Sequence, residues 1–276
     1  MFPDKAVAKY CQTEGVCLRR LDYSDTSQVA TFLTRDSGRL SFIAKGLLRA
    51  PKRGISTGLE LLGLYRLLYT ERRSGALCNL TEAYLLESPR GIGQKVERIL
   101  CGYYAVELML HFTAEAEPCP ELYELLLDCL RCFQKGEGLG LSVLVLELGA
   151  LRHHGVCPTF EQCVRCDRSV PSEGSLLFSL SEGGPICAAC ARRLPSQLAL
   201  GAVPVRAERL ALLAGLACAG KGDQKLARPA AREVVAASRL LRLHMRYLLD
   251  RELRMWKYLQ GRHLSRTLGR IRRAGG

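Results

Sequence analysis

Glu14-Gly-Val-Cys-Leu-Arg-Arg-Leu21, Gln28-Val-Ala-Thr-Phe-Leu-Thr34 and Arg39-Leu-Ser-Phe-Ile-Ala-Lys45 are short apolar or alternating runs, separated by the turn signals Tyr23-Ser-Asp-Thr26 and Asp36-Ser37-Gly38. A period of two sends one side of each run into a core and the other to solvent, and Asp, Ser and Gly supply the reversals. Two further runs, Leu59 to Tyr69 and Ala76 to Leu86, follow the turn signals Pro51-Lys-Arg-Gly54 and Arg73-Ser-Gly75. Leu59 to Tyr69 fits a helical period equally well, and its neighbours decide for a strand. Five strands with glycine at the sharp corners predict a small closed Greek-key barrel of the OB type over residues 1–90.

Beyond Gly93 the period becomes helical. Val96, Ile99, Leu100, Tyr103, Val106 and Leu110 draw one stripe to about Thr113, and Leu122, Leu125, Leu126, Cys129, Leu130 and Phe133 a second, after Pro118 and Pro120. A third helix is expected from Leu139 to His153, another from Val205 to Cys218, and a long one from about Pro229, a residue suited to a first helical turn. On the last, Val234, Leu241, Met245, Leu248 and Leu249 are expected inward, with Arg232, Arg239, Arg242 and Arg246 on another face. The helical domain thus comprises residues 91–156 and 195–260, and a basic tail occupies 261–276. The fold class is α+β, a barrel followed by an all-α domain.

Into that domain is inserted a segment, residues 157–194, with Cys163-Val-Arg-Cys166 and Cys187-Ala-Ala-Cys190. A two-residue spacing lets one backbone turn offer two thiolates to one ion, and two such knuckles close a tetrahedral four-thiolate zinc site with no open position, hence structural. Gly183-Gly184-Pro185 leads into the second knuckle as zinc ribbons require. Cys11, Cys17, Cys78, Cys101, Cys129, Cys132 and Cys218 read as small buried hydrophobes; Cys129 and Cys132, though a Cys-x-x-Cys, lie in an amphipathic helix. His153-His154 is surplus to a shell of four thiolates. Gly136-Glu-Gly138-Leu-Gly140 follows a helix, not a strand, and is a connection rather than a phosphate loop.

The chain carries 40 Lys and Arg against 27 Asp and Glu, a net charge of +13. Division by segment gives +5 for residues 1–90, −2 for 91–227 and +10 for 228–276. A segregated excess builds a potential that attracts a polyanion, with nucleic acid the leading partner. Candidate phosphate contacts are Arg35 and Arg39 around the Asp36-Ser37-Gly38 hairpin, Arg49, Lys52 and Arg53 in the next loop, and Arg239, Arg242 and Arg246, whose offsets of three and four point them the same way. Few rings in the barrel segment remain for stacking, so phosphate neutralisation should dominate. The stretch Leu139 to Leu151 is too short for a membrane span and holds Glu147. No apolar leader follows Met1, so a cytoplasmic protein with no membrane partner is expected.

The segments Glu14 to Asp25, Thr34-Arg-Asp-Ser-Gly-Arg-Leu-Ser-Phe-Ile-Ala-Lys-Gly46 and Leu77-Cys-Asn-Leu-Thr-Glu-Ala-Tyr-Leu-Leu-Glu87, the placing of the knuckles and the helix Arg239 to Leu259 resemble the RecO family of bacterial DNA-repair and recombination mediators. Residues 1–12 and those after Gly261 fall outside the resemblance. It implies a non-catalytic, nucleoid-associated protein that binds single- and double-stranded DNA, anneals complementary strands, contacts the acidic C-terminal tail of the single-strand binding protein SSB, and with RecR helps load RecA. The competing class is a zinc-containing nucleic-acid enzyme. That class needs clustered acids for magnesium or a nucleotide-linked lysine, and the acids here are scattered. A pure interaction scaffold leaves the basic ends without a role.

Overall fold

A computed structural model describes residues 10–25, 27–45, 58–70, 77–194, 201–218, 229–250 and 252–259. Two compact units make up the chain, residues 1–137 and 138–276.

The first unit opens with a closed five-stranded barrel, β1 (Tyr10–Ser24), β2 (Ser27–Thr34), β3 (Gly38–Ala44), β4 (Leu64–Thr70) and β5 (Cys78–Glu87), in the order β1-β2-β3-β5-β4. Every neighbouring pair is antiparallel except the short parallel contact of β3 with β5, which closes the OB-type circuit. Leu59 to Gly63 turn off the expected fourth strand: Leu62 adopts a left-handed φ of 67°, and the Cys17 and Leu62 amides bond across to Gly63 and Cys17. Inside, Phe32, Phe42, Tyr65 and Tyr69 meet edge to face at centroid distances of 5.2 to 5.8 Å, with Cys17, Leu67 and Leu80 around them. The interior takes four of the aromatic rings; Tyr23 and Tyr84 remain exposed. The Pro51 to Gly54 and Arg73 to Gly75 turns lie outside the described residues.

Three helices follow, α1 (Arg90–Gly93), α2 (Val96–Phe112) and α3 (Pro120–Lys135), which pack on one another, with α2 also against β1. The buried face of α2 is Cys101, Tyr104, Ala105, Val106, Leu108, Met109 and Phe112; of the expected stripe Val106 is buried, Ile99, Leu100 and Leu110 are half-buried, and Val96 and Tyr103 face solvent. The helix is apolar nearly all round, so periodicity does not choose its inner face and the packing against β1 and α3 does. On α3 the expected stripe is buried apart from the half-buried Leu125. Arg98 clamps the end of α3 through hydrogen bonds to the carbonyls of Gln134 (2.6 Å) and Lys135 (3.1 Å) and to that of Gly91 (3.0 Å).

The second unit holds α4 (Leu139–His153), a three-stranded antiparallel sheet β7-β6-β8 formed by β6 (Ser175–Ser179), β7 (Gly184–Ile186) and β8 (Ala202–Arg206), the short α5 (Ala188–Ala191), then α6 (Ala207–Cys218), α7 (Ala231–Leu249) and α8 (Trp256–Leu259). The sheet corrects the expected helix start at Val205, since the helix begins at Ala207. Val205 is the end of a strand paired with Leu176, so the knuckle-bearing segment and the helices share β8. Pro229 precedes the helix N-cap at Ala230 instead of entering the first turn. Leu248 is exposed and Leu249 half-buried, against the expectation that both face inward. Among the described residues no helix is long and apolar enough to cross a membrane.

Candidate metal centre and nucleic-acid interface

The knuckles are built by backbone hydrogen bonds before any metal is considered. Cys163 accepts at its carbonyl from the amides of Cys166 (3.4 Å) and Asp167 (2.9 Å), while its own amide donates to Arg168 (2.9 Å); Asp167 takes the left-handed φ of 57° that closes the turn. The second pair sits at the junction of β7 and α5. Val164 donates to Pro185 (3.0 Å) and Thr159 to Gly183 (2.9 Å), which seats the first knuckle on β7. Glycine is required at 184, because a Cβ there would stand 2.4 Å from Val164 Cγ1 and 2.5 Å from Thr159 Cγ2.

The result is four thiol sulfurs, of Cys163, Cys166, Cys187 and Cys190, all within 4.8 Å of one another. Cys166 and Cys187 Sγ are 3.8 Å apart, and the Cys187 amide donates to Cys163 Sγ at 3.3 Å. A hydrogen bond from the Cys190 amide holds the Cys187 thiol down near 7, whereas sharing its proton with Cys187 pushes Cys190 up to about 12. Such a set ionises one member readily and the last reluctantly; a divalent cation relieves that repulsion. Four convergent thiolates with no carboxylate or imidazole are the donor set of a closed structural site.

The arginines fare differently. Arg35 is exposed, but its guanidinium bonds Glu124 at 2.8 Å, lies 3.9 Å from Glu14 and sits 5.6 Å over the Tyr123 ring. Those carboxylates hold its pKa above the ordinary arginine value, the Glu124 hydrogen bond first. Arg39 donates to the Leu110 carbonyl at 2.6 Å, near the C-terminal end of α2, and its own carbonyl accepts from Ala116 at 2.9 Å. The hairpin is thus sewn to the α2–α3 connection. Gly38 (φ 65°) permits this, since any Cβ there would fall 1.8 Å from the Glu117 carbonyl oxygen.

On α7 the expected row of Arg239, Arg242 and Arg246 is broken in the middle. Arg242 is buried, its Nε donating to Glu147 of α4 at 3.0 Å with the guanidinium 5.5 Å from the Trp256 ring, while Ser238 Oγ donates to the same carboxylate at 3.2 Å. Glu147 has no exposed surface, so a cation must accompany it. The charged residue inside the apolar Leu139 to Leu151 stretch was the signal for that partner. Arg232, Arg239 and Arg246, seven residues apart, form the exposed row instead. Arg254 and Lys257 are exposed on the following segment. Arg49, Lys52, Arg53 and the tail 261–276 lie outside the described residues.

The family pattern described as Recombination protein O N terminal matches residues 8–89, and that described as Recombination protein O C terminal matches residues 93–257. A protein named DNA repair protein RecO from Anaeromyxobacter sp. (strain K) is 34% identical over 245 residues, 89% of this chain and 94% of its own. Its namesake in Myxococcus xanthus (strain DK1622) is 31% identical across 87% of this chain and 93% of its own. One from Bacillus pumilus (strain SAFR-032) is 30% identical across 78% and 81%. The chain belongs to the Recombination protein O (RecO) family of DNA-repair proteins.

Proposed function

We propose that this protein is a non-catalytic recombination mediator that binds single- and double-stranded DNA, anneals complementary strands and, with RecR, helps load RecA onto SSB-coated single strands. The observation that carries the reading is the match of both family patterns, in order, over nearly the whole chain. The exposed Arg232–Arg239–Arg246 row adds a physical means, with Arg254 and Lys257 beyond it and Arg49, Lys52 and Arg53 as the barrel's share. Phosphate neutralisation of this kind is indifferent to sequence, and bringing two strands to one basic surface lowers their repulsion and raises their local concentration. The acidic SSB tail is a second anion of matching sign for the same row.

The four thiols hold one structural zinc ion that staples the β6–β8 sheet. The protein acts in the cytoplasm. Strand pairing on SSB-coated oligonucleotides, with and without RecR, tests the function: acceleration by this protein is expected. Cleavage of labelled DNA on adding magnesium, in place of stable complexes, would move the protein to the class of zinc-containing nucleic-acid enzymes.

A further inference from the structure

Residues 19–24 of β1 run on past the barrel core and are all exposed. Register decides which of them point outward. Ala30, Phe32, Phe42 and Ala44 line the interior, so the alternate residues Val29 and Ile43 lie on the outside, where both are half-buried. Leu21 is paired with Val29, and Val29 with Ile43, giving an apolar row across three strands about 10 Å wide. Leu21 is 51% exposed and Tyr23, two residues on, 70%. Tyr23 is also the extra residue of a β-bulge: Asp22 pairs with Gln28 and Ser24 with Ser27, which leaves Tyr23 outside the ladder. Bulges re-aim a side chain, and this one sets a ring at the exposed end of the row.

The charges flanking the row are basic. Arg19, paired with Thr31, and Lys45, which follows the Ala44 partner of Gln28, stand on its two sides. Both are exposed, and neither forms an ion pair among the described residues. Asp22 turns to the other face, where its carboxylate accepts from Gln28 Nε2 at 2.8 Å. Asp25 bounds the face at the turn. Tyr84, exposed on β5, differs from Tyr23, since its hydroxyl donates to Glu82 at 2.7 Å and so carries an anion at the ring's edge.

A ring, an apolar floor and flanking cations together match a strand whose bases are unpaired. In a duplex the base faces are stacked on one another, whereas a single strand offers base faces to a tyrosine and phosphates to arginine and lysine. We propose that this face takes single-stranded DNA, with Tyr23 stacking on a base, Leu21, Val29 and Ile43 forming the floor beside it, and Arg19 and Lys45 holding phosphates. The inference rests on the DNA-binding reading above and deepens it. Phosphate neutralisation serves one strand or two alike, and the ring supplies a preference for one.

The test titrates the full-length protein into a labelled single-stranded oligothymidylate and, separately, into a labelled duplex. Leu21→Ser/Tyr23→Ser should weaken single-strand binding about tenfold or more, with duplex affinity and both salt slopes as in the wild type, because stacking releases no counterion. Tyr23→Phe keeps the ring and should bind as the wild type does. Arg19→Ala/Lys45→Ala should instead flatten the single-strand salt slope, by about 0.7 log units for each phosphate contact removed. Wild-type melting temperatures establish that each variant folds. Photocrosslinking of the unaltered protein to an oligonucleotide carrying 5-iododeoxyuridine should attach at Tyr23, and attachment confined to other residues would overturn the proposal. So would unchanged single-strand affinity in Leu21→Ser/Tyr23→Ser while the wild type binds DNA, a result that leaves the DNA-binding reading standing. An equal loss on the duplex, or self-association of the protein that this variant abolishes, would overturn it as well. A wild-type protein that binds neither probe would remove both readings.

Discussion

The knuckle cysteines of the second unit and the hairpin arginines of the first look alike as sequence signals, each a tight group of chemically competent residues flanking a turn. They end in opposite states. The cysteines converge within 4.8 Å, whereas Arg35 and Arg39 are drawn into the protein's own carboxylate and carbonyl groups. The difference lies in range. A knuckle is closed by bonds between residues three to five apart, so the local sequence specifies it. An arginine takes whichever anion the tertiary structure brings, and Glu124 lies 89 residues from Arg35 in the chain. Arg242 repeats the lesson more strongly, with its partner 95 residues away and both side chains buried.

The largest effect should come from dismantling the local motif. Cys163→Ser/Cys166→Ser is expected to abolish zinc, measured as one ion per chain in the wild type, and to destabilise the second unit by on the order of 5 kcal/mol or more in denaturant unfolding. A wild-type protein free of zinc when purified without chelators would remove the closed-site reading and with it one side of the comparison. Next in size is the buried pair. Glu147→Ala should cost about 3–5 kcal/mol, because it strands the Arg242 guanidinium, while Glu147→Leu/Arg242→Leu should recover much of that loss. A cost below about 1 kcal/mol for Glu147→Ala would return Arg242 to the solvent-facing row.

These two experiments also separate what was legible in the sequence from what was not. The barrel was legible because each strand carries its own alternation and each corner its own turn residues, and the pairing β1-β2-β3 follows from them. The inner face of α2 was not, because Val96, Tyr103, Tyr104 and Leu108 are equally good candidates until the neighbouring elements choose. The true basic row on α7 was half legible: Arg232, Arg239 and Arg246 were visible as a heptad repeat, but only the buried Glu147 withdraws Arg242 from their face.

Smaller effects test the arginines directly. Arg232→Ala/Arg239→Ala/Arg246→Ala should leave stability within about 0.5 kcal/mol. It should flatten the salt dependence of duplex DNA binding by up to about 0.9 log units for each phosphate that the row no longer neutralises. An unchanged slope would make the row a solvated face. The smallest effect is expected at the hairpin, where Arg35→Ala should cost roughly 0–1 kcal/mol, as exposed ion pairs do, and leave the DNA salt slope alone. A reduced slope for Arg35→Ala would show that Glu124 releases the guanidinium to DNA and would erase the contrast with the cysteines.

By itself the sequence determined the β-barrel, the existence of most helices and the four-cysteine knuckles, because all of these arise from periodicities and spacings within a few residues. Only the tertiary structure decided which charges remain available. Carboxylates at 14, 124 and 147 come to their arginines through packing, and the energy of a buried or bridged ion pair depends on distance and solvent access in three dimensions. Neither quantity is written in the spacing of residues along the chain.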